Sequence, residues 1–145
     1  MPFPPDINQA LADALRGLAC TRIEHPSDWF WQITFGNNAV VFGIETQWRL
    51  LKDGSIAFGD KDDGKQFGLP KPVDGSALCL EILKPSKVVT SEIRRGTADV
   101  TIAFDNGAVL ELLNGSAGYE GWSCTFGEWN IVGRGGGELA IMGRA

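Results

Sequence analysis

An eleven-residue stretch occurs twice in this chain, as residues 31–41, WQITFGNNAVV, and again as residues 100–110, VTIAFDNGAVL. Ile33, Phe35, Asn37, Ala39 and Val40 recur as Ile102, Phe104, Asn106, Ala108 and Val109, at a constant offset of 69 positions. A repeat of this length constrains the whole architecture, because whatever the first copy folds into the second is expected to build again. Trp31, Ile33 and Phe35 alternate with Gln32 and Thr34, and Val100, Ile102 and Phe104 with Thr101 and Ala103, the period of a strand with one buried face. Gly36-Asn37-Asn38 and Asp105-Asn106-Gly107 supply residues that tolerate positive φ, so each copy predicts a β-hairpin.

The likeness reaches further in both directions. Asp6, following Pro4 and Pro5, predicts the N-cap of a helix over 7–17, with Ile7, Leu11, Leu15 and Leu18 on one face. Leu15-Arg16-Gly17 aligns at offset 68 with Leu83-Lys84-Pro85, which assigns the ambiguous segment 76–84 to a second helix capped by Ser76. In the first copy, a strand at 18–24 and a turn at His25-Pro26-Ser27-Asp28 precede a strand with Trp29, Trp31, Ile33 and Phe35 on one face. Strands at 39–44, 47–51 and 55–58 follow, and Asp53-Gly54 between the last two is a strong hairpin signal. The second copy predicts strands at 87–94, 100–104 and 108–113, then Trp122 matching Trp48, Ile131 matching Ile56, and a last strand at 139–142. Convergent patterning of two hairpins is the alternative; the shared order of helix, hairpin and Trp favours duplication. The expectation is an α+β fold, mainly antiparallel β, forming one domain from two tandem related halves at about 7–59 and 76–133. Each half is a short helix plus about five short strands, and two such halves can cover each other's apolar sheet faces.

Composition narrows the function classes. Thirteen Lys and Arg against eighteen Asp and Glu leave a net charge of −5, with the basic residues scattered and Arg94-Arg95 the densest pair. Nucleic acid and anionic membrane surfaces are disfavoured partners, whereas a basic protein partner suits this charge. Cys20, Cys79 and Cys124 are widely spaced, and with His25 as the single histidine they offer no zinc-site spacing. No cofactor or metal is expected. Reduced buried thiols, and an N-terminus MPFPPDIN without signal-peptide character, imply a cytoplasmic protein.

Motif-like stretches are weak. Asp60-Lys61-Asp62-Asp63-Gly64 imitates a calcium loop, yet position 12 counted from Asp60 is Lys71 rather than a bidentate Glu. Gly133-Arg134-Gly135-Gly136-Gly137 leads into a strand pattern, not the helix that a phosphate-binding loop requires. His25 sits in a His-Pro turn with no nucleophile elbow anywhere, so no catalytic residue is assigned. Trp48-Arg49 and Tyr119-Glu120-Gly121-Trp122 fall at matching places in the copies and read either as core or as an aromatic interaction surface. The candidate interaction surface comprises Trp48, Arg49, Asp60, Asp62, Asp63, Tyr119, Glu120 and Trp122.

Trp48-Arg49-Leu50 followed by Gly54-x-Ile56-x-x-Gly59-x-x-Asp62 resembles a pattern of small uncharacterised bacterial proteins. Val100-x-Ile102-x-Phe104-x-Asn106-Gly107-x-Val109-Leu110-Glu111-Leu112, then Tyr119-Glu120-x-Trp122, is similar to their second half. The resemblance spans about residues 18–133 and brings no activity or catalytic residue with it. Some such domains are immunity-protein-like, which implies a non-enzymatic protein that binds and neutralises a protein partner. The alternative is a small-ligand binder with a cavity between the two halves, and open sheet edges would also allow a homodimer. If function is written in this chain, it is expected where the copies differ: at 59–75, 114–118 and 134–137.

Overall fold

The computed structural model describes residues 6–143, so Pro4 and Pro5 lie outside the described residues. Its elements in chain order are α1 (Ile7–Leu15), β1 (Cys20–Ser27), β2 (Phe30–Phe35), β3 (Val40–Ile44), β4 (Gln47–Lys52), β5 (Ser55–Gly59), α2 (Gly75–Leu83), β6 (Val88–Ile93), β7 (Val100–Phe104), β8 (Ala108–Leu113), β9 (Trp122–Phe126), β10 (Trp129–Gly133) and β11 (Leu139–Gly143). Short 3-10 turns at Asp60–Asp62 and Gly135–Gly137 complete the list. The fold is α+β, with every strand pair antiparallel.

Two sheets share one hydrophobic core. The first has the order β1-β2-β3-β9-β10-β11, and the second, read from its far end, β6-β7-β8-β4-β5. The two halves therefore follow the same route: three strands in one sheet, then a crossing into the other sheet for two more. β11 has no counterpart among the described residues. The helices are exchanged as well, since α1 packs on β6 and α2 on β1. Asn8 Oδ1 in α1 accepts the Ile93 amide of β6 at 2.8 Å, taking up one backbone donor of that edge strand.

Local chemistry sets the element ends. Asp6 caps α1 by accepting the Gln9 amide at 3.1 Å, and Gly17 (φ +83°) ends the helical stretch that follows. Asp74, not Ser76, caps α2, accepting the Ala77 amide at 3.1 Å. Gly75 then occupies the first helical position because a side chain there would run into the Phe58 ring. β1 does not stop at His25 but continues to Ser27, with a bulge between Glu24 and Ser27 that accommodates Pro26. As an edge strand β1 has a free side, so a residue without an N–H is tolerated there.

Pairing shifts the correspondence between the two segments from the ungapped one. Phe35 pairs with Val40, whereas Ala103 pairs with Val109, so the second hairpin turns in one residue fewer. The counterpart of Val40 is thus Ala108, and the buried series Val40, Phe42, Ile44 matches Ala108, Leu110, Leu112. Val109 is only half-buried. Likewise Ile131 corresponds to the buried Phe58 rather than to Ile56, which is 61% exposed, because Ala57 bulges out of the β4–β5 ladder. Other irregularities coincide: Thr21 and Val89 bulge at the same place, one pair in from the starts of β1 and β6.

Trp48 and Trp122 occupy equivalent sites, Trp48 opposite Leu112 and Trp122 opposite Ile44, and both are buried. They differ in one hydrogen bond. Trp122 Nε1 donates to the Ala98 carbonyl at 2.8 Å, while Trp48 Nε1 is buried without an acceptor among the described residues. Removing Nε1 from Trp122 orphans a carbonyl, whereas removing it from Trp48 relieves an unsatisfied donor. Trp122→Phe is therefore expected to cost about 1–2 kcal/mol more stability than Trp48→Phe in urea unfolding. Equal losses would contradict this account.

Candidate functional site

The places where the halves differ have distinct structural roles. Segment 59–75 is folded back on itself rather than loose: Gly64 and Val73 pair through Gly64 N to Val73 O at 2.8 Å and Val73 N to Lys65 O at 2.7 Å. Its aspartates are engaged. Asp62 accepts the Gly59 amide at 2.9 Å, and the Trp48 amide reaches Asp60 at a longer 3.4 Å. Asp63 joins three elements, with Oδ2 2.7 Å from His25 Nδ1 in β1 and Oδ1 accepting the Gly75 amide of α2 at 2.8 Å. These carboxylates, offered by the sequence as an open acidic surface, are largely occupied in holding the segment down.

His25 is the middle of this clasp. Its ring stacks on Trp31 with centroids 3.8 Å apart and planes within 9°. Trp31 meets Trp48 and Phe58 edge-on at 5.0 and 6.0 Å, so the clasp rests on an aromatic cluster. With the Nδ1 proton directed at Asp63, Nε2 of a neutral imidazole is an acceptor; it is buried and has no partner among the described residues. An Asp-His pair is also the orienting half of a nucleophilic triad, but an enclosed Nε2 without a hydroxyl or thiol in reach does not complete one. In the second half Ile93 and Val100, which pair with each other, stand near the positions of His25 and Trp31, so the clasp belongs to one half.

The cysteines offer no nucleophile to this arrangement. Burial pushes the Cys20 and Cys79 thiols up from 9.0 to about 12, against a smaller opposing hydrogen bond at Cys20 and with the charges of Cys20 and Asp63 adding at Cys79. Burial raises Cys124 in the same direction. Among the described residues no three His, Cys, Asp or Glu side chains gather as metal ligands would.

Beside the clasp, β5, α2 and segment 65–74 enclose a groove of about 510 Å³. Phe58 contributes to its floor, Leu78 to its α2 wall, and Phe67 and Leu69 to its outer lip. A second cleft of about 490 Å³ lies where β3 crosses into β4 and β8 into β9. Trp29 and Tyr119 line it, 67% and 82% exposed, together with Glu45, Glu120, Gln47 and Asn114. Trp29 was expected on the buried face with Trp31; it instead sits in the turn before β2, where the β1 extension carries it into solvent.

The glycine run supports this second cleft from behind. A side chain at Gly135 would overlap the Gly118 backbone, and one at Gly137 would overlap the Gly96 carbonyl. Gly136 N donates to Ser116 O at 2.9 Å, and the Asn114 amide group bridges the Thr97 and Arg134 carbonyls at 2.9 and 3.0 Å. Three backbone segments thus approach closely enough to exclude every residue but glycine.

Of the residues proposed from sequence, Trp48 and Trp122 are core and cannot contact a partner. Arg49 Nε donates to Glu111 Oε1 at 2.6 Å, a cross-strand pair on β4 and β8. Asp60, Asp62 and Asp63 stabilise their own segment, Asp62 also lining the first groove, while Tyr119 and Glu120 line the second cleft. Trp29 and Glu45 were not proposed as site residues; the signal for Trp29 was a bulky aromatic beside a turn cluster, which period-two counting assigned to the strand. No protein family, curated protein or solved structure matches the chain.

Two outcomes test the clasp and the thiols. Asp63→Ala leaves the Gly75 amide and His25 Nδ1 without a partner and should speed tryptic cleavage at Lys61 and Lys65, with a stability loss of about 1–3 kcal/mol. Unchanged cleavage would show that the clasp does not hold the segment. For the thiols, the fold keeps them protonated while the unfolded chain ionises near 9, so their contribution is complete below that pH and declines as pH rises toward 12. Unfolding free energy should fall over that window, less steeply in Cys79→Ala, with no reaction of the native thiols with Ellman's reagent at about pH 8.

Proposed function

We propose that this chain is a non-enzymatic binding protein, of the immunity type that its sequence resembles, and that it captures a basic segment of a protein partner in the Trp29–Tyr119 cleft. The observation carrying this reading is the composition of that cleft. Two exposed aromatic rings and the carboxylates of Glu45 and Glu120 share one concavity, and among the described residues no Lys or Arg lines it. Aromatic faces attract guanidinium and ammonium groups, and neighbouring carboxylates add charge-assisted hydrogen bonds. An arginine entering the cleft would meet both without displacing a resident cation.

Support also comes from rigidity. The cleft is built on the sheet crossings and backed by the close-packed glycines, so little ordering cost accompanies binding. The net charge of −5 steers a basic partner toward the chain from a distance. A ligand cavity between the halves finds less support, because the side chains of both halves fill that space as one continuous cluster.

An arginine-rich peptide should quench or shift Trp29 fluorescence and bind in a salt-dependent manner, while a glutamate-rich peptide should not. Trp29→Ala or Tyr119→Ala is expected to weaken binding about 30-fold, and Glu45→Lys with Glu120→Lys to abolish it. Binding unaffected by all four substitutions would sink this cleft as the interface. The immunity reading is tested separately: growth inhibited by the product of an adjacent gene should be restored by this chain and not by the Glu45→Lys, Glu120→Lys variant.

A further inference from the structure

We infer that the groove between β5, α2 and segment 65–74 is a second binding site, for a small organic cation with an apolar body, such as an alkyl or aryl amine. The site is separate from the Trp29–Tyr119 cleft and does not depend on it. The groove's volume of about 510 Å³ lies within the range of small-ligand sites. Its surface is mostly apolar, with Phe58 below, Leu78 to the side, and Phe67 and Leu69 above.

Phe67 carries the argument. It is 68% exposed, and its backbone has φ +48°, a left-handed conformation that a bulky side chain adopts only at a cost. Gly68 beside it also has positive φ, at +74°. Neither burial nor the turn requires phenylalanine at this strained position, where glycine would serve the backbone better. What the ring does there is form the lip of the groove. Leu69, half exposed, extends the same lip. The clasp of Asp63 on His25 and Gly75 holds the base of this segment against β1 and α2, so the lip is positioned before any ligand arrives.

Charge selects the ligand. Asp62, Asp74 and Glu81 line the groove against a single cation, Lys71. Asp62 and Asp74 each give one carboxylate oxygen to a backbone amide, leaving the other for a ligand. Glu81, on the exposed face of α2, makes no hydrogen bond or ion pair with another described residue. An apolar body under Phe67 with an ammonium toward these carboxylates satisfies both halves of the surface, whereas an anion of the same shape would meet net negative charge.

The test uses three probes with one tail, n-octylamine, n-octanol and n-octanoate, titrated into the full chain and followed by heteronuclear NMR. Octylamine should bind most tightly, shift amides of 65–74 and α2, and lose affinity tenfold or more in Phe67→Ala and Glu81→Lys. Phe67→Gly should hold the thermal midpoint of the parent chain and still lose binding, which separates a ligand role from a folding role. Trp29→Ala should leave these shifts unchanged. Equal affinity for octanoate, shifts that follow Trp29 rather than Phe67, or no saturable binding of octylamine would each overturn the proposal.

Discussion

The ladders β3·β9 and β4·β8 join the halves at the centre of both sheets, and every other feature depends on them. Each half turns from one sheet into the other between its third and fourth strands, so on its own it would leave both of those strands with an unpaired edge. Backbone donors and acceptors cannot be left so in a buried centre. The partner half supplies the missing strands in both sheets at once, and the exchanged helices lie against its first strand. The halves are thereby inseparable, although each follows the same path. Trp48 and Trp122, next to the crossings, fill the space that opens where the chain changes sheets, which explains why the largest side chains of the core recur there.

Most of this architecture was legible because it rests on short-range patterns. Alternation from Trp31 to Phe35 and from Val100 to Phe104 specified strands and their inward faces; helical spacing at Ile7, Leu11 and Leu15 specified α1. What escaped was register across pairs. A single bulged residue, Ala57, shifts the inward position from Ile56 to Phe58, and a hairpin shorter by one residue shifts Val40's counterpart to Ala108. The first slip leaves no trace in an ungapped alignment, because a strand pattern read two residues out of phase looks identical, and the second, by one residue, is hidden by the Ala39–Ala108 and Val40–Val109 identities. The exchange of helices was equally invisible, since α1 presents the same apolar stripe whichever half it covers.

The site was legible in position but not in composition. Segments 59–75 and 114–118 do border the two grooves, yet most conspicuous residues within them serve the fold. Asp60, Asp62 and Asp63 are conspicuous for their charge, and each gives at least one carboxylate oxygen to the hydrogen-bonding demand of a long surface segment. Gly135 and Gly137 suggest a ligand-binding loop in sequence, and in three dimensions they make room for neighbouring backbone. Conversely, Trp29 and Phe67 are unremarkable in sequence and conspicuous only once their exposure and, for Phe67, its backbone strain are seen.

That contrast separates scaffold from function by physical criterion rather than by residue type. A polar or glycine residue whose conformation and contacts are fully accounted for by folding carries no evidence of a second role. A large apolar residue held in solvent does, because hydrophobic burial and backbone preference both oppose its placement. Trp29 meets this test through its exposure beside the equally unburied Tyr119, and Phe67 meets it twice, through exposure and through positive φ. Both are joined to the His25–Asp63 clasp by a short length of chain: Trp29 follows His25 by four residues, and Phe67 follows Asp63 by four. One clasp therefore ties the strand that leads to Trp29 to the segment that presents Phe67. Loosening it should disturb the groove through the base of 65–74 while the cleft, supported by glycine packing on its far side, keeps its shape.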